Sequence, residues 1–168
     1  MNEQALSIQL LDTSLDRSGF KCGSDPLDSY FQCRVTQDIR RRITNCFVAL
    51  SAERHIVGYY TLAATSVMLS ELPDTHVKKL PRYPSVPAVH LGRLAVDQRF
   101  KGQGMGGTLL FDAAFRVARS QIAAYALVVD AKDDVAAAFY RHHGFAPFPS
   151  SELTLLLPLA SVVKEVRR

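Results

Sequence analysis

Residues Arg99 to Gly107 read Arg-Phe-Lys-Gly-Gln-Gly-Met-Gly-Gly, which places four glycines within six positions. Glycine lets the backbone turn tightly and aim successive N–H groups into one concavity. Apolar Met105, Leu109, Leu110, Ala113, Ala114 and Val117 then recur at helical spacing, so a helix begins near Met105. Its N-terminus adds the positive end of a dipole, and Arg99 and Lys101 add charge at the rim. Such an arrangement cradles a phosphate or pyrophosphate. Gly102, Gly104 and Gly107 also spell the Gly-x-Gly-x-x-Gly of dinucleotide-binding folds, with Asp130 lying 23 residues beyond Gly107. That fingerprint usually opens a fold and is followed by several more strand–helix units, whereas 38 residues remain after Asp130.

Tyr140 is the second residue able to do chemistry. A phenol, with a pKa of about 10, can donate a proton to a leaving group. Beside Phe139 the same ring can equally be packing. Cys22, Cys33 and Cys46 form no Cys-x-x-Cys pair and no zinc spacing. They read as reduced, partly buried thiols, and no metal is expected.

These groups need a scaffold. Apolar residues make up 48% of the 168 positions and charged ones 21%, enough for one compact domain with a proper core. No internal repeat and no run of about 20 apolar residues is present, so a solenoid and a membrane span are not expected. Met1 to Leu10 lacks the basic and apolar regions of a secretion signal, and the expected location is the cytoplasm. Strands are expected over Leu6 to Leu11, Cys46 to Leu50, Ile56 to Met68, Pro87 to Val96, Tyr125 to Val129, Phe145 to Phe148 and Glu152 to Leu157. A helix starts at Ser24-Asp25-Pro26, with the Ser24 hydroxyl as cap, and runs towards Arg34 or Asp38. Pro73 to Pro87 is expected to be an irregular loop with at most one helical turn. Asp133 and Asp134 open a helix through Phe139 that Gly144 closes. The order predicts an α+β (α/β) domain with a mixed, mostly antiparallel central sheet flanked by helices.

The formal charge is +4, from 20 Lys+Arg against 16 Asp+Glu, with a pI near 9.1. The cations cluster: Arg34 with Arg40, Arg41 and Arg42; Lys78 and Lys79 with Arg82; Arg93 on a strand; Arg141 with His142 and His143 after Tyr140. If they converge they track phosphates of a nucleic acid; otherwise they are solvated faces.

The glycine loop resembles the Arg/Gln-x-x-Gly-x-Gly/Ala signature of the Gcn5-related N-acetyltransferases, met by Arg99, Gly102 and Gly104. Ala136, Phe139, Tyr140, Gly144 and Phe145 resemble the same family's Ala-x-x-Phe-Tyr-x-x-x-Gly-Phe segment. The resemblance implies that Leu94, Ala95 and Val96 orient the thioester arm of acetyl-CoA. It implies that Arg99, Phe100, Lys101, Gly102, Gln103, Gly104, Met105, Gly106 and Gly107 hold its pyrophosphate, and that Tyr140 is the general acid. Asp133 stands where many relatives have Asn, among the cofactor-binding positions. Many relatives that act on lysine place a carboxylate on the strand before the loop, but Ala88 to Val96 has none, and His90 is its one titratable neutral candidate. That histidine either takes a proton or faces solvent or core. An α-amine, with a pKa of about 8, needs less help than lysine at about 10.4, so the gap leans towards an α-amine acceptor.

Phe20-Lys21-Cys22-Gly23 and Pro26-Leu27-Asp28-Ser29-Tyr30-Phe31 extend the likeness to one subgroup, the acetyltransferase toxins of bacterial type II toxin–antitoxin modules. That resemblance implies acetylation of the α-amine of aminoacyl-tRNA, and so a block of translation. It also implies a homodimer, a ribbon–helix–helix antitoxin, and operator DNA met only through the antitoxin complex. Arg34, Arg40, Arg41, Arg42, Lys78, Lys79, Arg82 and Arg93 are then the candidate tRNA contacts. The alternative is an acetyltransferase of a small-molecule or protein amine, with the basic patches left as solvated surface.

Overall fold

The computed structural model describes residues 5–166, with side chains through Lys164. Its elements follow in the order β1 (Ser7–Leu10), α1 (Asp25–Cys33), α2 (Val35–Arg40), β2 (Asn45–Leu50), β3 (Ile56–Met68), α3 (Asp74–Val77), β4 (Ser85–Val96), α4 (Met105–Ala118), β5 (Ala126–Asp130), α5 (Asp134–His142), β6 (Ala146–Phe148), β7 (Ser151–Pro158) and α6 (Leu159–Val166). The strands form one mixed sheet in the order β1-β2-β3-β4-β5-β7-β6. β1–β2, β2–β3, β5–β7 and β6–β7 pair antiparallel, whereas β4–β5 pair in parallel. The expected α+β architecture is the one observed.

Two compact units make up the chain, Met1–Ala63 with Gly92–Ala113 and Ala64–Leu91 with Ala114–Arg168. In the first, Phe20, Phe31, Val35, Cys46, Val48, Leu50, Tyr59 and Ala95 share one buried cluster. The rings of Phe31 and Tyr59 stack at 4.2 Å, and Phe20 meets Phe31 edge-on at 4.9 Å. Pairs of this kind add about 1 kcal/mol each beyond the area they bury. Tyr59 satisfies its hydroxyl by donating to the Leu27 carbonyl at 2.7 Å. β3 carries Gly58 because a Cβ there would lie 2.5 Å from the Ala95 carbonyl oxygen. That close approach holds the Gly92–Val96 half of β4, the segment leading into the glycine loop.

In the second unit, Val86, Ala88, Ala126, Val128 and Leu156 join Val67, Leu72 and Phe148 in a cluster of their own. Alternation along the strands explains the grouping: the register aligns Ala88 with Ala126, and Val128 with Leu156.

Local differences from the expected elements have physical causes. The helix from Asp25 breaks at Arg34, whose φ of −120° leaves the helical range; Gln37 and Asp38 N–H groups restart on the Arg34 carbonyl. The break lets Phe31 and Val35 both bury completely. Ser24 occupies the cap position without a side-chain hydrogen bond; the carboxylate of Asp28 instead accepts the Cys22 N–H at 2.8 Å. α6 was not expected, because its apolar residues continue the run of β7 without a break in composition.

Candidate active site

The loop between β4 and α4 is built around Asp97, which is 2% exposed. One carboxylate oxygen accepts the Arg99 N–H at 3.0 Å and the Arg99 Nε at 3.1 Å, and the other accepts the Lys21 N–H at 3.2 Å. The Asp97 N–H donates to the Val57 carbonyl, and the Gln98 N–H donates to the Lys21 carbonyl. Burial pushes the Asp97 pKa up, but the Arg99 N–H and guanidinium and the Lys21 N–H outweigh it and hold the acid below its ordinary range. Lys101 Nζ donates to the Cys22 carbonyl. Arg99 and Lys101 are therefore tied into the protein as well as exposed at the rim.

Gly102 and Gly104 take φ of +78° and +76°, and a Cβ on either would meet nothing within 4 Å. Their conformation thus serves the backbone path and leaves open space above it. Met105, Gly106 and Gly107 form the first turn of α4. Gln103 is exposed, Phe100 half-buried, and along β4 Ala95 is buried between half-buried Leu94 and Val96. A turn of positive-φ glycines, open space and a helix N-terminus fit an anionic pyrophosphate.

Tyr140 lies on α5, in the second unit. Its ring packs against Phe139 and Phe145, with centroids at 5.3 and 5.5 Å. The residue is 8% exposed, and burial pushes its phenol up to about 12. Among the described residues its hydroxyl has no hydrogen-bond partner, and no buried side-chain oxygen is left unsatisfied. The hydroxyl is thus protonated at neutral pH and open to a ligand. Asp133 is the cap of α5: its carboxylate accepts the Ala136 N–H at 2.8 Å. Asp133, expected among the cofactor-binding positions, thus uses one carboxylate oxygen to cap α5.

His90 and Asp130 meet on adjoining strands, with Nε2 3.1 Å from a carboxylate oxygen of Asp130. The other oxygen of Asp130 accepts from the Thr154 hydroxyl at 3.0 Å. Both oxygens of Asp130 thus have protein partners, unlike the ribose-binding carboxylate of the dinucleotide alternative. Sequence reasoning missed this trio because its members lie 40 and 24 positions apart.

A model of the acetyltransferase (GNAT) domain matches residues 42–147, more than half of the chain. The chain belongs to this acetyltransferase family. It is 36% identical over 144 residues to the tRNA-acetylating toxin of Mycobacterium tuberculosis (strain H37Rv), covering 84% of this chain and 85% of that protein. To the "Probable toxin TacT" of Sinorhizobium fredii (strain NGR234) it is 30% identical over 159 residues, covering 88% and 87%. Among solved structures, AtaT complexed with acetyl-methionyl-tRNAfMet matches with a TM-score of 0.88 at 31% identity, over 96% of this chain and 99% of that one. Solved neighbours also include AtaTR bound with AcCoA and an AtaT mutant bound to the C-terminus of the antitoxin AtaR, at 30% and 27% identity.

The basic residues of this GNAT domain divide between the units. Arg34, Arg40, Arg41 and Arg42 are exposed in the first, and Lys78, Lys79 and Arg82 are exposed in the second. Arg93 differs from them. Its guanidinium sits 3.4 Å from the Tyr30 ring centroid, and the Tyr30 hydroxyl donates to Asp38 at 2.8 Å. That stacking gives Arg93 an internal role in the first unit. The cysteines are free; burial and the Asp28 carboxylate push Cys22 up to about 11, and burial pushes Cys46 up to about 12. Neither is a ready thiolate nucleophile.

Proposed function

We propose that this protein transfers acetyl from acetyl-CoA to the α-amino group of an aminoacyl-tRNA, and so acts as the toxin of a type II toxin–antitoxin pair that blocks translation. The likeness over almost the whole chain to AtaT carrying acetyl-methionyl-tRNAfMet is the observation that carries this reading. The glycine loop from Arg99 to Gly107 takes the pyrophosphate, and Leu94 to Val96 align the thioester. Tyr140 protonates the departing thiolate, a role that suits a phenol held in its neutral form. Transfer is direct, from acetyl-CoA to the amine in one ternary complex, and the raised Cys22 and Cys46 thiols suit that route.

Arg34, Arg40, Arg41, Arg42, Lys78, Lys79 and Arg82 contact the tRNA backbone, and Arg93, stacked on Tyr30, steadies the first unit. The protein works as a homodimer in the cytoplasm, and a ribbon–helix–helix antitoxin silences it and brings the pair to operator DNA. A cell-free translation extract stripped of acetyl-CoA tests the reading. Adding the protein alone should leave reporter synthesis unchanged, and adding acetyl-CoA with it should stop synthesis. A block that does not depend on acetyl-CoA contradicts the proposal.

A further inference from the structure

We propose that His90 is the base that takes the proton from the incoming ammonium group, set in place by Asp130 and Thr154; the inference rests on the acetyl transfer proposed above. The strand ladder places the trio. Alternation puts Val86, Ala88 and His90 on one face of β4, and the register sets Ala88 beside Ala126 and His90 beside Val128 of β5. Asp130 pairs in turn with Thr154, and Val128 with Leu156, on β7. The apolar members of these rows belong to one buried cluster. His90, in the row of Val128 and Leu156, reaches diagonally to Asp130, which pairs with Thr154, so a polar line of side-chain bonds crosses three strands at the end of that cluster. The β4–β5 ladder stops at Leu91 and Val129, and β5 ends at Asp130. From Gly92 onward, β4 is the segment that leads to the glycine loop. Along the chain, His90 thus stands two residues before Gly92, where β4 continues into the stretch assigned to the thioester.

The hydrogen bonds fix what each member can do. A carboxylate only accepts, so Nε2 of neutral His90 carries the proton shared with Asp130. The lone pair is left on Nδ1, the nitrogen facing away from Asp130. The Thr154 hydroxyl holds the second carboxylate oxygen and fixes the plane of the carboxylate. A histidine ordered by a carboxylate and left with one free basic nitrogen is the arrangement a proton acceptor needs. Further charged groups lie on the elements that pack against this cluster. β7 adds Glu152 two positions before Thr154, and the segment over the apolar cluster brings Glu71, Asp74, His76, Lys78 and Lys79. His76 is held by the Tyr125 hydroxyl at 3.1 Å, and among the described residues none of the others is bonded to His90.

The protons balance. His90 Nδ1 takes one proton from the ammonium group and later releases it to solvent. The freed lone pair of the amine attacks the acetyl carbonyl; the C–N bond forms and the C–S bond breaks. The sulfur leaves as a thiolate and takes the Tyr140 proton, and the second nitrogen proton returns to the Tyr140 phenolate. One proton is released per acetyl group moved.

The test compares wild type with His90→Gln, Asp130→Asn and Thr154→Val, measuring acetyl transfer to charged tRNA from about pH 6 to about pH 8.5. At the acid end His90→Gln should lower kcat by about 100-fold, and Asp130→Asn by about tenfold. Both deficits should shrink as pH rises, because the amine then arrives neutral. KM for acetyl-CoA should stay within about twofold, and added imidazole should restore part of the rate of His90→Ala. A deficit that is the same at every pH, or an unchanged kcat, overturns the assignment. If wild type does not acetylate charged tRNA, the proposed function fails by itself. A long-range nitrogen–proton spectrum then still judges the trio: neutral His90 should carry its proton on Nε2, and lose that preference in Asp130→Asn. A proton on Nδ1, or a tautomer indifferent to Asp130, contradicts the inference whatever the acceptor.

Discussion

Asp97 grips Arg99 twice with a single carboxylate oxygen, 3.0 Å from the backbone N–H and 3.1 Å from the guanidinium Nε. Its other oxygen holds Lys21 from the segment before α1. One buried acid therefore joins the end of β4, the glycine loop and the entry to α1. Removing it strands three donors. Asp97→Ala should cost about 3 kcal/mol in urea unfolding and raise KM for acetyl-CoA. The folded-state pKa of Asp97 lies below its ordinary value of 3.8. Its contribution is therefore complete above that value and lost as pH falls through the lowered one. The gap in Tm between wild type and Asp97→Asn should accordingly narrow below about pH 4.

Gly104 has positive φ and open space where a side chain would begin. Gly104→Ala should cost about 1 kcal/mol of stability, the strain of a Cβ in the left-handed region. Acetyl-CoA binding, read by calorimetry, should weaken by tenfold or more, on the order of 1.4 kcal/mol, because the methyl group stands in the cradle. Wild-type affinity in this variant would contradict the assignment of the loop.

The elements of this fold were legible from sequence wherever a local pattern sets them. The apolar run of β5, the helical spacing after Met105 and the acids that open α5 all depend on neighbours within a few residues. Asp97 and Asp130 were not legible in their roles, since each works through partners supplied by other strands. Lys21 meets Asp97 across 76 positions, and His90 meets Asp130 across 40. Arg93 reads in sequence as one more surface cation, and only the fold stacks it on Tyr30. Gly58 carries no motif at all; the Ala95 carbonyl pressed against it explains it.

Arg40, Arg41 and Arg42 close α2 in the open, with Arg42 at a φ of +60°. Replacing all three with alanine should leave the thermal midpoint nearly unchanged. Binding to charged tRNA should weaken, and the slope of log affinity against log salt should fall by about 2. An unchanged slope would assign the run to solvated surface and favour a small-amine acceptor.

The central claim is tested most directly by following labelled acetyl from acetyl-CoA with charged tRNA, deacylated tRNA and free amino acids offered together. The account predicts label on charged tRNA alone, released with the amino acid when the ester is cleaved. It also predicts that Tyr140→Phe, folded like wild type by thermal melt, transfers at least about 100-fold more slowly. Label on free amines with none on charged tRNA, or a Tyr140→Phe protein as fast as wild type, would contradict it.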